Sequence, residues 1–261
     1  MPELPDVETF RRYFEAASLF QQVTEVMIKE TRILSEVTAQ DLEIRLIGHQ
    51  FESAQRRGKY LFTRLENQSW VVFHFGMTGS LQYFRDVEGE PAYTRFRIGF
   101  AQGNSLAYIN VRKLGLITFT ERLEDFIQMK NLGPDALEMS PEEFRKRLID
   151  RRGSAKSILM DQSFLSGIGN IYSDEILFQA GIHPEQEVKQ LDGKMISTLY
   201  NAMKEVLETA IEVRADTDRL PKTYIIPHRK KGGVCPKCGN TLIQERIGGR
   251  TGYYCPEHQR G

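Results

Sequence analysis

Four residues near the end of the chain have the types and spacing of a metal site. Cys235-Pro-Lys-Cys238 and Cys255-Pro-Glu-His258 form two pairs, each with a two-residue gap, separated by 16 residues. Such a gap lets both side chains of a pair face one ion from a tight knuckle, and four sulfur and nitrogen donors suit tetrahedral zinc. With all four positions filled by protein, the ion is structural and contributes folding free energy to a segment too small for a core of its own. The three cysteines are the only ones in the chain and lie in its last 27 residues. An odd, clustered set argues against a disulfide framework and for a reducing compartment. Reduced cysteines without metal are the plainer alternative, and His258 is the ligand the pattern specifies least.

A second group of residues has the form of an anion site. Residues 154–181 read SAKSILMDQSFLSGIGNIYSDEILFQAG. The pattern predicts a short helix ending near Asp161, a loop through Gly167-Ile168-Gly169, and a second helix capped by Asn170 with Asp174 and Glu175 near its first turn. Tyr172, Ile176, Leu177 and Ala180 form its buried face, and Gly181 with Pro184 ends it. A glycine-rich turn leading into a helix N-terminus offers backbone N–H groups to a phosphate; a plain helical hairpin packed into the domain fits the local pattern equally. Between the two cysteine pairs, Arg246 and Arg250 flank Gly248-Gly249, so a hairpin tip there can reach phosphates. Ordinary exposed arginines would look the same.

The elements that hold these residues separate by period. Val7, Phe10, Phe14 and Ala17 recur at helical spacing after Pro5. Strand-like runs follow at Val23–Ile28, Lys59–Leu65, Trp70–Phe75 and Arg95–Ala101, several of them separated by short turns such as Glu66-Asn67-Gln68 and Gln102-Gly103-Asn104. This predicts an antiparallel β-sandwich with a leading helix. Leu132-Gly133-Pro134-Asp135 breaks the pattern, and helices follow. Ser140 caps a helix with Pro141 in its first turn, and Met195, Leu199, Ala202, Val206 and Ile211 line one face of a longer one. The expected organisation is an α+β chain with a sandwich domain over 1–133, a helical domain over 134–226 and a zinc-binding hairpin over 227–261.

At 261 residues the chain is long enough for two domains. Its net charge is zero, which by itself argues against a nucleic-acid partner, but the charge is unevenly spread. Residues 1–50 hold five Lys/Arg against nine Asp/Glu, and residues 228–261 hold seven Lys/Arg (Arg229, Lys230, Lys231, Lys237, Arg246, Arg250 and Arg260) against two acids. A basic tail can bind phosphates locally. No apolar run approaches the length of a membrane span, and the acidic start with no apolar stretch behind it does not resemble a secretory signal. A cytoplasmic, nucleoid-associated protein is expected.

Taken together, MPELPDVET at the start, RRGKYL, HFGMTGSL, LGPDAL, DQSFLSGIGNIYSDEILFQAGIHP and CPKC…YYCPEH resemble the formamidopyrimidine-DNA glycosylase / endonuclease VIII family, and the opening MPELP resembles its formamidopyrimidine branch. The matches run from residue 1 to residue 258 in the family's order. The resemblance implies an N-terminal β-sandwich with a leading helix, then a helix–two-turn–helix domain with a zinc finger, with DNA in the cleft between them. It implies a monomer acting on damaged double-stranded DNA, one structural zinc held by Cys235, Cys238, Cys255 and His258, and no organic cofactor.

The resemblance also assigns roles. After removal of Met1, the amine of Pro2 is the nucleophile that attacks the sugar C1′, expels the base and supports β- and then δ-elimination. Glu3 is the acid/base, and Lys59 lies near the damaged base and its phosphate. Met77, Arg112 and Leu114 fill the gap left by the extruded nucleotide, Arg112 facing the orphan base. His74, Lys156, Asn170 and Arg250 contact the DNA backbone around the lesion.

The chain departs from the family pattern at Asp6 (usually Glu), Asn110-Val111 (usually Asp-Pro), Leu114 (usually Phe) and His258 (usually Cys). The segment Asp216–Gly233 is short, with His228 near the place of a phosphate-binding tyrosine. That segment usually holds the loop over a flipped purine, so formamidopyrimidines or oxidised pyrimidines are expected to be preferred at least as strongly as 8-oxoguanine. Two other readings stay open at this level. One is a non-catalytic or weakly catalytic protein of the same fold that binds lesions or abasic sites. The other is a zinc-ribbon protein with a protein partner, which would show no salt-dependent affinity for DNA.

Overall fold

The computed structural model describes residues 1–85 and 87–259; Arg260 of the basic tail lies outside them. The chain divides into two units, Met1–Pro2 with Asp6–Lys130, and Glu3–Pro5 with Asn131–Gly261.

The first unit is led by α1 (Leu4–Ser18). Val7 and Phe14 are fully buried on one face, and the i,i+4 ion pairs Arg11–Glu15 and Arg12–Glu8 line another. Next come β1 (Val23–Ile28) and α2 (Ala39–Leu46). Thr38 and Asp41 start α2 with a reciprocal capping box. The strands β2 (Phe51–Arg57), β3 (Tyr60–Leu65), β4 (Trp70–His74), β5 (Gly79–Phe84), β6 (Thr94–Phe100), β7 (Ser105–Asn110) and β8 (Leu116–Thr120) lead to α3 (Leu123–Met129). They form two four-stranded sheets, in the orders β1-β6-β7-β5 and β2-β3-β4-β8, with every pairing antiparallel.

One core joins the inner faces of both sheets. Phe96, Ile98, Leu106 and Tyr108 of one sheet meet Leu61, Val71, Phe73 and Ile117 of the other, with Phe14 of α1 and Leu42 of α2 sealing the cluster. The outer face of the second sheet is also apolar: Phe62, Trp70 and Val72 pack against Phe126 of α3. This explains why β4 is an unbroken apolar run instead of an alternating one. Four strands escaped the sequence reading. Among them, β2 has a polar composition and a register shift between Phe51 and Ser53, and β5 opens on a glycine, so neither carries the β-branched, period-two signal.

The second unit contains α4 (Pro141–Ile149), α5 (Ala155–Met160), α6 (Asn170–Ala180), α7 (Gly193–Glu212) and a hairpin of β9 (Ile243–Ile247) and β10 (Arg250–Tyr254). Ser140 accepts from the Glu143 N–H with Pro141 in the first turn, as its sequence position indicated. On α7, Leu199, Ala202, Val206 and Ile211 are buried and Met195 is partly so. They pack with Phe144, Phe164, Ile176 and Leu4 in one core. A separate small core of Phe178, Ile225, Cys235, Leu242 and Cys255 supports the cysteine knuckles.

Candidate functional site

The start of α6 is not built as the sequence pattern suggested. Its N-cap is Gly169, whose position offers no side-chain cap, and Asn170 is the first helical residue. The missing acceptor is Glu3. Its carboxylate accepts the N–H groups of Gly169 (2.7 Å), Ile171 (2.8 Å) and Tyr172 (3.2 Å). The anion site read from the glycine-rich turn is therefore filled by a side chain of the protein's own N-terminal segment. The Leu4 N–H donates to Gly167 O at 3.0 Å and continues the attachment. Gly167 has φ +119°, and a Cβ there would lie 2.5 Å from the Leu4 side chain, so conformation and space both demand glycine. Gln162 fixes the loop by donating to Met160 O and Ile168 O and accepting from the Gly167 N–H.

Asp174 and Glu175 lie beyond the first turn of α6 and are buried, so the helix-dipole role expected of them is replaced by specific partners. Asp174 accepts from the Lys156 ammonium, from Arg229 at 2.7 and 3.0 Å, and from the Tyr253 N–H at 3.0 Å. Lys156 is fully buried, and burial lowers its pKa against the opposing pull of Asp174. Its side chain turns inward onto α6, so in this arrangement it braces the helix and does not present its charge to solvent. Arg229 also donates to Asn170 O at 3.1 Å, and Asn170 Nδ2 donates to Thr251 O at 2.8 Å. The hairpin is thereby fastened along the first two turns of α6. Burial raises the Glu175 carboxyl to about 7, where it accepts from Gln179 and from the Ile226 N–H. The pairing of buried acids with distant cations had no signature in the spacing. Arg229, Gln162 and the capping role of Glu3 were missed for the same reason.

At the hairpin tip, Gly248 and Gly249 have φ of +56° and +77° and join Ile247 to Arg250 in a two-residue turn that requires positive φ at both positions. Arg246 and Arg250 are both exposed. Below the tip, the ligand atoms of Cys235, Cys238, Cys255 and His258 all lie within 4.8 Å of one another. The Sγ atoms of Cys238 and Cys255 are 3.6 Å apart, close to the roughly 3.8 Å between thiolates on a tetrahedral zinc. The four donors fit one such ion. Gln259, buried behind them, accepts from the Cys255 N–H and donates to Ile182 O.

In the first unit, Gly58 (φ +56°) and Lys59 form the two-residue turn between β2 and β3, which puts Lys59 at a hairpin tip. His74 ends β4, and its ring centroid lies 4.8 Å from that of Tyr60. Its Nδ1 accepts from the Gly76 N–H at 3.4 Å, which leaves the ring hydrogen on Nε2 as a donor. Burial, helped by the charge of Lys59, lowers its pKa to about 4, so the ring is neutral at physiological pH.

Met77 and the Arg112 loop emerge from the same end of the first sheet, since Gly79 of β5 pairs with Asn110 of β7. Asn110 is fully buried and donates to Phe75 O and to the Tyr108 hydroxyl. Thr78 Oγ1 accepts from the Arg112 N–H at 3.1 Å. A Cβ at Gly76 would meet Leu114 O at 2.3 Å, so the two loops touch backbone to backbone. From this base Met77 is 38% and Leu114 53% exposed, and Arg112 is exposed as well. Pro2, also in this unit, is partly exposed behind Met1.

Two family models match the chain: the formamidopyrimidine-DNA glycosylase N-terminal domain over residues 1–117 and the formamidopyrimidine-DNA glycosylase H2TH domain over residues 132–221. A formamidopyrimidine-DNA glycosylase of Pelotomaculum thermopropionicum is 31% identical, with 100% of this chain and 99% of that protein covered. The chain belongs to the formamidopyrimidine-DNA glycosylase family. One from Bacillus cereus is 34% identical over 98% of both chains, and one from Arabidopsis thaliana is 33% identical over 100% of this chain and 71% of its own. Among solved structures, the Lactococcus lactis enzyme bound non-covalently to DNA containing an abasic site superposes with a TM-score of 0.89 at 28% identity, covering 99% and 100% of the two chains. The same enzyme with DNA carrying an N7-benzyl formamidopyrimidine gives 0.89 at 27%, with full coverage of both chains. Family members are DNA repair glycosylases, and the sandwich, helical domain and cysteine-bearing hairpin of this chain follow the family fold. No helix among the described residues is long and apolar enough to cross a membrane.

Proposed function

We propose that the chain is a bifunctional DNA glycosylase and abasic-site lyase that acts from Pro2 once Met1 is removed. The observation that carries this reading is the anchoring of Glu3 by three backbone N–H groups of the α6 start. An N-terminal segment with no chemical task would not need its third residue fixed inside the helical unit. The freed secondary amine of Pro2 is a suitable nucleophile, since an α-amine titrates near 7.7–8.0 and a useful part of it is neutral at cellular pH, unlike a lysine. The nitrogen lone pair attacks C1′, the base departs with the glycosidic electrons, and the resulting iminium acidifies the C2′ proton for β-elimination and then δ-elimination. Glu3 serves as the acid/base, and Lys59 as the cation beside base and phosphate.

Met77, Arg112 and Leu114 are proposed to fill the vacated stack. Their exposure on two mutually braced loops supports this. His74, as a neutral Nε2–H donor, Asn170 and Arg250 are proposed backbone contacts, and Lys156 supports Asn170 through Asp174. One zinc ion on Cys235, Cys238, Cys255 and His258 is proposed to hold the hairpin that carries Arg250. The partner is damaged double-stranded DNA, the working form a monomer and the location cytoplasmic. The domains are proposed to run over 1–133, 134–226 and 227–261.

Borohydride trapping of Met1-processed protein on duplexes with an abasic site, 8-oxoguanine, a formamidopyrimidine or 5-hydroxyuracil tests the reading. A covalent adduct on the abasic duplex is expected, lost in Pro2→Gly and much reduced in Glu3→Gln, with the formamidopyrimidine or the pyrimidine lesion released at least as fast as 8-oxoguanine. Tight, salt-sensitive binding without any adduct would instead mark a lesion-binding protein, and a clear 8-oxoguanine preference would sink the lesion ranking.

A further inference from the structure

Tyr93 is a large aromatic side chain left exposed at one end of the first sheet. It is 56% exposed and has φ +62°, as the third residue of a β-turn closed from Thr94 N–H to Pro91 O. The residue is held in place from both sides. Thr94 closes the preceding turn by donating through its N–H and its hydroxyl to Pro91 O. Tyr93 O accepts the Asn110 N–H at 3.1 Å, and Arg95 Nε donates to Asn110 O at 2.9 Å. The Arg95 guanidinium lies 5.7 Å from the centre of the Tyr93 ring and backs it with positive charge.

The register gives the location. Thr94 of β6 pairs with Ile109 of β7, and Asn110 of β7 pairs with Gly79 of β5. One step along, Tyr93 is level with Asn110, the residue that launches the Arg112 loop. Tyr93 therefore shares one end of the first sheet with Met77, Val111, Arg112 and Leu114. Met77, Tyr93, Val111 and Leu114 are all exposed large apolar side chains, and gathered at one sheet end they form a patch of the kind that marks a binding surface. The arginines beside them, Arg95 and Arg112, make the patch complementary to a polyanion.

We infer that Tyr93 is a DNA-contacting residue: its ring stacks on a base next to the orphan base, in the strand opposite the lesion, beside Arg112. This rests on the proposed glycosylase reading, which supplies the DNA. Stacking on an aromatic ring is tolerant of base identity because every base has a π-face, so Tyr93 contributes affinity and a stable extruded state in preference to lesion choice. Among the described residues the Tyr93 hydroxyl makes no hydrogen bond, and the ring itself is the functional part.

The test uses duplexes with a tetrahydrofuran abasic analogue and 2-aminopurine placed on either side of the orphan base. Wild-type protein is expected to change 2-aminopurine emission on one side. Tyr93→Ala should abolish that change and weaken binding about tenfold, Tyr93→Phe should keep both, and all three proteins should melt at the same temperature. Unchanged emission and affinity in Tyr93→Ala would overturn the inference, as would a loss in Tyr93→Phe equal to that in Tyr93→Ala. Failure of the wild-type protein to bind or trap would instead remove the glycosylase reading, and this inference with it.

Discussion

At the scale of single residues, Glu3 carries two demands on one carboxylate. It ends the chain's N-terminal segment in the helical unit by accepting three N–H groups, and it follows the proline proposed as nucleophile. Both oxygens accept, so Glu3→Gln removes the acid and also sets an amide NH2 against a backbone N–H. Its trapping is therefore read beside its urea midpoint, and lost trapping at a nearly unchanged midpoint assigns the effect to the acid. His74 carries a different signature. The unfolded chain takes up a proton on this ring near 6.5, whereas the folded one does so only at about 4. Between those values the unfolded state binds more protons, so this residue's contribution to stability falls as pH drops through the window and levels off below it. Urea midpoints between pH 7 and 4.5 should fall more steeply in the wild type than in His74→Gln; parallel curves would show that the ring is not buried in its neutral form.

At the scale of elements, the important object is α6 with the loop that precedes it. The loop was legible as a glycine-rich turn, and the helix as an apolar face between Gly169 and Gly181. Which atom fills the N-terminus was not legible, because Glu3 and Gly169 are brought together by packing and no local pattern links them. Gly167 makes the dependence testable. Its φ of +119° and the 2.5 Å approach of Leu4 to a built Cβ predict that Gly167→Ala costs roughly 1–3 kcal/mol from the backbone alone, measured by urea unfolding. It should also reduce trapping on abasic DNA, since Leu4 and Glu3 shift together. A variant as stable and as reactive as the wild type would mean that the Glu3–α6 attachment tolerates slack.

At the scale of the whole molecule, stability is divided among separate cores. The sandwich has a large apolar interior of its own, whereas the hairpin relies on five small-core residues and on the four ligands. Removing the metal with a chelator is therefore expected to release β9–β10 to hydrogen exchange while the sandwich keeps its protection. Release of Arg250, the hairpin residue proposed as a phosphate contact, should lower the log–log salt slope of DNA binding by roughly one. Equal exchange with and without metal would show that the hairpin folds on its own hydrogen bonds. The neutral net charge gives the DNA reading no support, so the salt slope must come from local groups such as this arginine.

By itself, the sequence determined the local chemistry and the layer types. The cysteine spacing, the capped helix at Ser140, and the apolar runs of β3, β4 and β6 are short-range patterns, set by backbone sterics and side-chain period. Motifs spread over the whole chain determined its family. Tertiary structure alone decided which distant groups meet: Glu3 under α6, Lys156 and Arg229 on Asp174, and Tyr93 beside the Arg112 loop. Burial of a charge or strain at a single φ has no local period to reveal it. Both arise only when packing excludes water or closes a turn, and their compensating partners can then come from anywhere along the chain.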